Sequence, residues 1–147
     1  MKYVKVFIVL FIVVCCLIVA REIYWARATL VIPLSEADLT EKIKDDDFLV
    51  IVHDATRDLG QDIPDLRSAL AAARTKVYSF GLTDESDEIK EILYSMNMVT
   101  SLPVICVFSR GTLQAQYYKS VGALDKDMLI SIFEAFKQFS SNPDSLF

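Results

Sequence analysis

Three short, largely apolar runs, separated by segments with helical periodicity, constrain the fold of this 147-residue chain most strongly. The runs cover residues 48–52, 77–82 and 104–108, and each is rich in β-branched or aromatic side chains. Such runs are typical of strands that are buried on both faces of a sheet. Together with the intervening helices they predict an α/β fold, a mixed sheet flanked by helices.

The other segments complete the expected order β-α-β-loop-α-β-α-β-β-α. A β-prone stretch at 29–32 ends at Pro33, and a helix opens at Ser35 and stops at the acidic triplet 45–47. Residues 53–61 are polar and predict an irregular loop, after which we expect a helix from Asp62 to Arg74. Further helices are expected from 84 and over 125–139, and Gly111 lies in a tight turn between strands 104–108 and 113–118.

The N-terminus contains 15 consecutive apolar residues at 6–20, with Lys5 before them and Arg21 after them. A membrane span needs roughly 20 such residues. Lys5 can extend its ammonium group to one interface, and aromatic residues up to Trp25 suit the other. We therefore expect residues 1–28 to be a single transmembrane signal anchor and juxtamembrane segment. The alternative is a cleaved signal peptide, since residues 26–28 resemble an A-x-A cleavage site.

The remaining residues, 29–147, are acidic. They carry 11 basic and 19 acidic side chains, a net charge of −8. A domain of this charge would repel phosphates, so no nucleic-acid partner is expected. His53 is the only histidine, and the acids around it lack the tight spacing of a metal site, so no metal or other cofactor is expected.

Three sequence stretches, at 101–104, 107–111 and 121–124, resemble motifs of the thioredoxin superfamily. Ser101-Leu102-Pro103-Val104 is similar to the family segment in which proline follows a cis peptide bond beside the active site. Residues 107–111 resemble the hairpin that follows it, and residues 121–124 resemble the family's Val-Gly-Ala motif. The resemblance implies a thioredoxin-like domain at 29–139 and a loose tail at 140–147.

The same resemblance implies that the family's chemistry is absent. The two cysteine positions of Cys-x-x-Cys fall on Thr56 and Leu59, or one residue later on Arg57 and Gly60. Thiol–disulfide exchange needs an attacking thiolate and a second sulfur, and neither register supplies one. The family's buried acid falls on Ile51. We therefore expect no catalytic residue and a protein that is not an enzyme.

Recognition of an extended peptide uses main-chain hydrogen bonds, so it can persist without the cysteines. By the resemblance, a partner protein would bind where the 53–60 loop meets the proline turn. The candidate partner-binding residues are His53, Thr56, Arg57, Asp58, Leu59, Leu102 and Pro103.

The favoured function is therefore a redox-inactive, membrane-anchored accessory or assembly subunit of a membrane protein complex. Its anchor contacts the lipid bilayer, and its domain lies on the extracytoplasmic or intermembrane side. The alternative is a thiol–disulfide oxidoreductase, or a peptide-binding chaperone, that uses Cys106 or a partner's cysteine. Cys106 lies within an apolar strand, where we expect a buried and inert thiol, and Cys15 and Cys16 lie in the apolar run.

Overall fold

The computed structural model of the protein describes residues 1–119 and 124–141. Most of the third sequence motif, at 121–123, and residues 142–147 of the expected tail lie outside the described residues.

The chain begins with a 26-residue helix, α1, at Lys2–Arg27. At 1.5 Å per residue this helix is about 39 Å long. Its apolar stretch is not buried by any of the described residues, and Lys5 lies on its exposed surface. The helix is long and apolar enough to cross a membrane.

A five-stranded mixed sheet follows, in the order β1-β3-β2-β4-β5. β1 and β2 each run parallel to β3, whereas β4 runs antiparallel to both β2 and β5. The expected mixed sheet is therefore confirmed. The strands are β1 Val31–Pro33, β2 Phe48–Asp54, β3 Val77–Leu82, β4 Val104–Ser109 and β5 Thr112–Tyr118.

Helices cover both faces of this sheet. Alternate residues of β2 contribute to two separate cores, with Ile51 on one face and Val50 on the other. The Ile51 side packs against α4 and α6, and the Val50 side packs against α2 and α5. The helices are α2 Glu36–Asp45, α3 Leu59–Asp62, α4 Leu66–Ala73, α5 Asp87–Ser95 and α6 Lys126–Ser141.

Several boundaries differ from the sequence prediction, most of them by one to three residues. β1 includes Pro33, which is tolerated because β1 is an edge strand and needs fewer backbone donors. β2 continues to Asp54, since Asp54 still pairs with Leu82 of β3. The segment predicted to be irregular contains α3, and the next helix begins at Leu66 instead of Asp62. Pro64 lies in the break between the two helices, where its missing N–H is least costly.

The tight turn between β4 and β5 is confirmed. Arg110 and Gly111 both have positive φ angles, 50° and 83°, as a two-residue type I′ hairpin requires. A side chain at Gly111 would also lie 3.3 Å from the Lys44 carbonyl oxygen, so this turn packs closely on the end of α2.

Candidate functional site

The candidate partner-binding residues gather at one end of the sheet. Val52 of β2 and Val104 of β4 form the last pair of their antiparallel ladder, so His53 and Pro103 lie one step beyond it on adjacent strands. The Leu102–Pro103 peptide bond is cis. We call residues 53–60 together with Leu102 and Pro103 the strand-end surface.

Asp54 organises the first half of the loop through its carboxylate. Oδ1 of Asp54 accepts hydrogen bonds from the Thr56 hydroxyl at 2.7 Å and from the Thr56 backbone N–H at 2.9 Å. Its carbonyl oxygen accepts a third from the Arg57 N–H at 3.1 Å. These bonds form an Asx-type turn. The Thr56 hydroxyl, followed by the Thr56 N–H, lowers the pKa of Asp54 below its ordinary value.

Arg57 and Asp58 hold the second half of the loop. Asp58 accepts a hydrogen bond from the Gly60 N–H at 3.1 Å and so caps the N-terminus of α3. The Arg57 guanidinium lies 2.8 Å from Oδ1 of Asp62, whose side chain is only 8% exposed. Sequence analysis did not identify this nearly buried acid, because a four-residue helix is too short to show a periodic pattern.

His53 is fixed by contact with its neighbours. Its Nδ1 lies 3.1 Å from the Asp54 carbonyl oxygen, which can only accept, so Nδ1 carries the proton. Gly81 of β3 packs against the same place: a Cβ there would lie 2.9 Å from the Cβ of Ala55 and 3.5 Å from the imidazole. A side chain at position 81 would therefore displace the loop.

The apolar members of the strand-end surface belong to different cores. Leu59 is half-buried against the α4–α6 side of the sheet, and Leu102 is half-buried against the α2–α5 side. Pro103 is buried, so its side chain offers little contact area to a partner. Thr56, Arg57 and Asp58 are exposed and form the polar rim.

Gln116 of β5 is a further residue that positions this surface, and sequence analysis missed it. Its side-chain oxygen accepts a hydrogen bond from the Val99 N–H at 2.8 Å, and its amide nitrogen donates to the Asn97 carbonyl at 2.9 Å. These two bonds fix the segment that leads to Leu102 and Pro103. No local sequence signal marks them, because the partners are backbone groups 17 and 19 residues away.

The strand-end surface contains no sulfur. Cys106 lies in the middle of β4, fully buried on the α2–α5 side of the sheet. Burial raises the pKa of its thiol to about 12, which keeps it protonated and unreactive at neutral pH. α1 contacts the opposite, α4–α6 side through Trp25, so its Cys15 and Cys16 do not approach Cys106. Among the described residues no group of three His, Cys, Asp or Glu side chains could hold a metal ion.

No protein-family model matches the sequence, and no curated protein gives a significant match. Solved structures do match. A protein described as having a thioredoxin fold shares 16% identity at a TM-score of 0.52, over 78% of this chain and 97% of its own. Thioredoxin from Trypanosoma brucei brucei shares 13% identity at a TM-score of 0.50, over 76% of this chain and 96% of its own. Thioredoxin from Malassezia sympodialis shares 12% identity at a TM-score of 0.50, over 75% of this chain and 92% of its own. At these identities the likeness concerns the fold, and the chain therefore has the thioredoxin fold that its motifs predict.

Proposed function

We propose that this protein is a redox-inactive, membrane-anchored interaction module that binds a partner protein in a membrane complex. The observation that carries the proposal is the composition of the strand-end surface. Neither candidate pair of positions for the two sulfurs, Thr56 with Leu59 or Arg57 with Gly60, contains a cysteine. The side chains of Thr56 and Arg57 are instead engaged in a hydrogen bond and an ion pair within the loop. Polar contacts thus fix the conformation of the loop. A surface of fixed conformation that lacks a reactive thiol is suited to binding another protein.

Contacts of α1 with the domain support a retained anchor over a cleaved signal. Trp25 and Ala28 pack against the core beside α4 and α6. Arg67 of α4 donates a hydrogen bond to the Ala26 carbonyl oxygen at 2.7 Å. Cleavage after Ala28 would remove these contacts and expose part of the core, whereas retention keeps the domain joined to a helix that can cross the bilayer.

The proposed partner contributes an extended segment that lies across the strand-end surface. Half-buried Leu59 and Leu102 offer apolar contacts on either side, and the exposed Thr56–Asp58 rim offers polar ones. Main-chain hydrogen bonds would supply affinity without requiring a thiol. We propose the extracytoplasmic or intermembrane side for the domain, an orientation that protease protection of sealed membranes would test.

Photo-crosslinking in native membranes tests the binding role. A photoreactive amino acid replaces Ala55, which is exposed in the loop and takes part in none of its side-chain hydrogen bonds, and in a matched control it replaces Glu91, which is exposed on α5. After detergent solubilisation we expect one stoichiometric crosslinked partner from position 55 and none from position 91. Recovery of the uncrosslinked monomer from both variants, or equal crosslinking from both, would contradict the proposal.

Redox inactivity needs a separate assay, because a binding module and an oxidoreductase could both form complexes. Insulin reduction and a glutathione-coupled reductase assay should give background rates for the full chain and for Cys106→Ala alike. The expectation follows from the burial of the Cys106 thiol. Turnover that disappears in Cys106→Ala would instead establish the oxidoreductase alternative.

A further inference from the structure

The contacts of α1 with the domain begin immediately after its apolar stretch. The stretch ends at Ala20, and Glu22 forms an ion pair with Arg74 at the end of α4. Tyr24 accepts a hydrogen bond from the Lys76 ammonium at 3.3 Å, and the same ammonium lies 5.7 Å from the Tyr24 ring centre. Two residues of helix rise only about 3 Å. If residues 6–20 lie in the hydrocarbon, Arg74 and Lys76 are therefore held at the depth of the lipid headgroups.

The part of the domain brought to this depth is basic. Residues 66–76 contain three basic side chains and no acidic one, in a domain whose net charge is −8. Glu22 of α1 pairs with Arg74, so Arg67 and Lys76 supply the net positive charge of these contacts. We call Arg67, Arg74 and Lys76 the basic patch. All three contact α1, so they lie on one side of the domain, next to the proposed membrane surface.

The basic patch keeps donors for other ligands. Lys76 donates one N–H to Tyr24 and is exposed, which leaves further ammonium donors. Arg67 is also exposed, and one of its guanidinium nitrogens is used on the α1 carbonyl oxygens. A guanidinium has five N–H groups, and its planar fork suits phosphate oxygens.

We propose that the basic patch binds the phosphates of anionic phospholipids in the bilayer that α1 crosses. This inference rests on the proposed membrane anchoring of α1. Each basic residue near an anionic bilayer surface raises the membrane-binding constant roughly fivefold. The patch therefore fixes the orientation of the domain on the membrane, in addition to the tether that α1 supplies.

The test uses the full chain in liposomes, with Cys15→Ala and Cys16→Ala introduced and Cys106 left buried. A fluorophore is attached at Thr75→Cys, between Arg74 and Lys76, and in a second protein at Glu85→Cys, beyond the other end of β3. Phosphatidylcholine bilayers with a headgroup-attached quencher are compared with and without phosphatidylglycerol. We expect several-fold greater quenching at position 75 than at 85, and a further increase with phosphatidylglycerol that high salt reverses.

Charge variants separate lipid binding from a purely structural contact with α1. Lys76→Gln and Arg67→Gln together should abolish the increase caused by phosphatidylglycerol, whereas Lys90→Gln on α5 should retain it. Tyr24→Phe removes the hydrogen bond to Lys76 without changing any charge, and it should also retain the increase.

A third protein, which keeps Cys16 and carries Cys15→Ala alone, is labelled at Cys16 and reports insertion of α1 through a quencher in the acyl chains. If Cys16 is quenched but position 75 resembles position 85, the lipid-binding inference is wrong and the anchored module stands. If Cys16 is not quenched, the proposed anchoring fails, and the inference fails with it.

Discussion

Cys106 and Asp54 differ in the protonation state that their surroundings favour. Burial in β4 raises the pKa of the Cys106 thiol to about 12, so the neutral thiol persists. Two hydrogen bonds from Thr56 lower the pKa of the Asp54 carboxyl, so the carboxylate persists. Each group keeps one state across neutral pH, and neither is suited to exchanging protons there.

Cys106 should resist alkylation in the folded protein. In a Cys15→Ala, Cys16→Ala background, we expect iodoacetamide to leave native Cys106 unmodified and to modify it fully in urea, as intact mass would show. The unfolded thiol ionises near its ordinary pKa of 9.0, whereas the folded thiol ionises near 12. Stability should therefore fall as pH rises from about 9 to 12, and Cys106→Ala should lack that component. Rapid alkylation under native conditions would contradict this.

Thr56 should control the acidity of Asp54. Thr56→Ala removes the hydroxyl donor, so the pKa of Asp54 should rise toward its ordinary value of 3.8, whereas Thr56→Ser should leave it low. Carboxyl carbon NMR titration measures both. A depressed carboxyl pKa stabilises the fold above pH 3.8 and loses that contribution as pH falls through the folded-state value. The alanine variant should therefore show less acid sensitivity; identical titrations in both variants would be the contrary result.

Among the elements, the apolar strands were the most predictable and α3 was the least. A continuous apolar run such as 48–52 has few alternatives to a buried strand, and its pairing then extended β2 to Asp54. α3 has four residues and is defined by its Asp58 cap and by the Arg57–Asp62 ion pair, which no periodic pattern reveals. The placement of the strand-end residues was predictable, because the order of the strands brings the end of β2 next to the start of β4. The burial of Pro103 depends on packing that the sequence does not show.

Gln116→Ala should loosen the segment that positions Leu102. Loss of the side chain removes the hydrogen bonds to the Val99 N–H and the Asn97 carbonyl, at a cost of about 0.5–1.5 kcal/mol, because water can reach these partly exposed groups. Hydrogen exchange at the Val99 amide should accelerate accordingly. Gln114→Ala, on the same strand but exposed, is the control and should leave that exchange unchanged. Equal rates in the two variants would mean that Gln116 does not hold the loop.

For the whole molecule, the main feature is that the C-terminal end of α1 packs against the core of the domain. Trp25 belongs to the helix that the sequence assigns to the membrane, yet it packs beside α4 and α6. The interactions at this junction join residues about 40 to 50 apart in sequence, such as Glu22 with Arg74 and Ala26 with Arg67. Sequence analysis assigned Trp25 to the membrane interface and did not anticipate its contact with the domain, because local patterns carry no information on such distant pairs.

Trp25→Ala should destabilise the domain as well as the anchor. Removing a half-buried indole from a core should lower the free energy of unfolding by about 1–3 kcal/mol. Pulsed alkylation of Cys106 during urea titration in detergent measures this, because the thiol is reachable only after unfolding. Tyr3→Ala, on the same helix but 88% exposed, should be neutral. If both variants unfold alike, α1 does not contribute to the core.

β3 connects the two contact surfaces of the molecule. It follows Lys76 at the α1 junction and ends at Leu82, whose carbonyl oxygen accepts a hydrogen bond from Ala55 at 3.0 Å. Six residues of strand extend about 20 Å. The headgroups and a bound polypeptide would thus be kept apart by a rigid spacer. If both proposed surfaces are occupied, lipid and partner protein would bind at the same time, and the partner would be held at a set distance from the membrane.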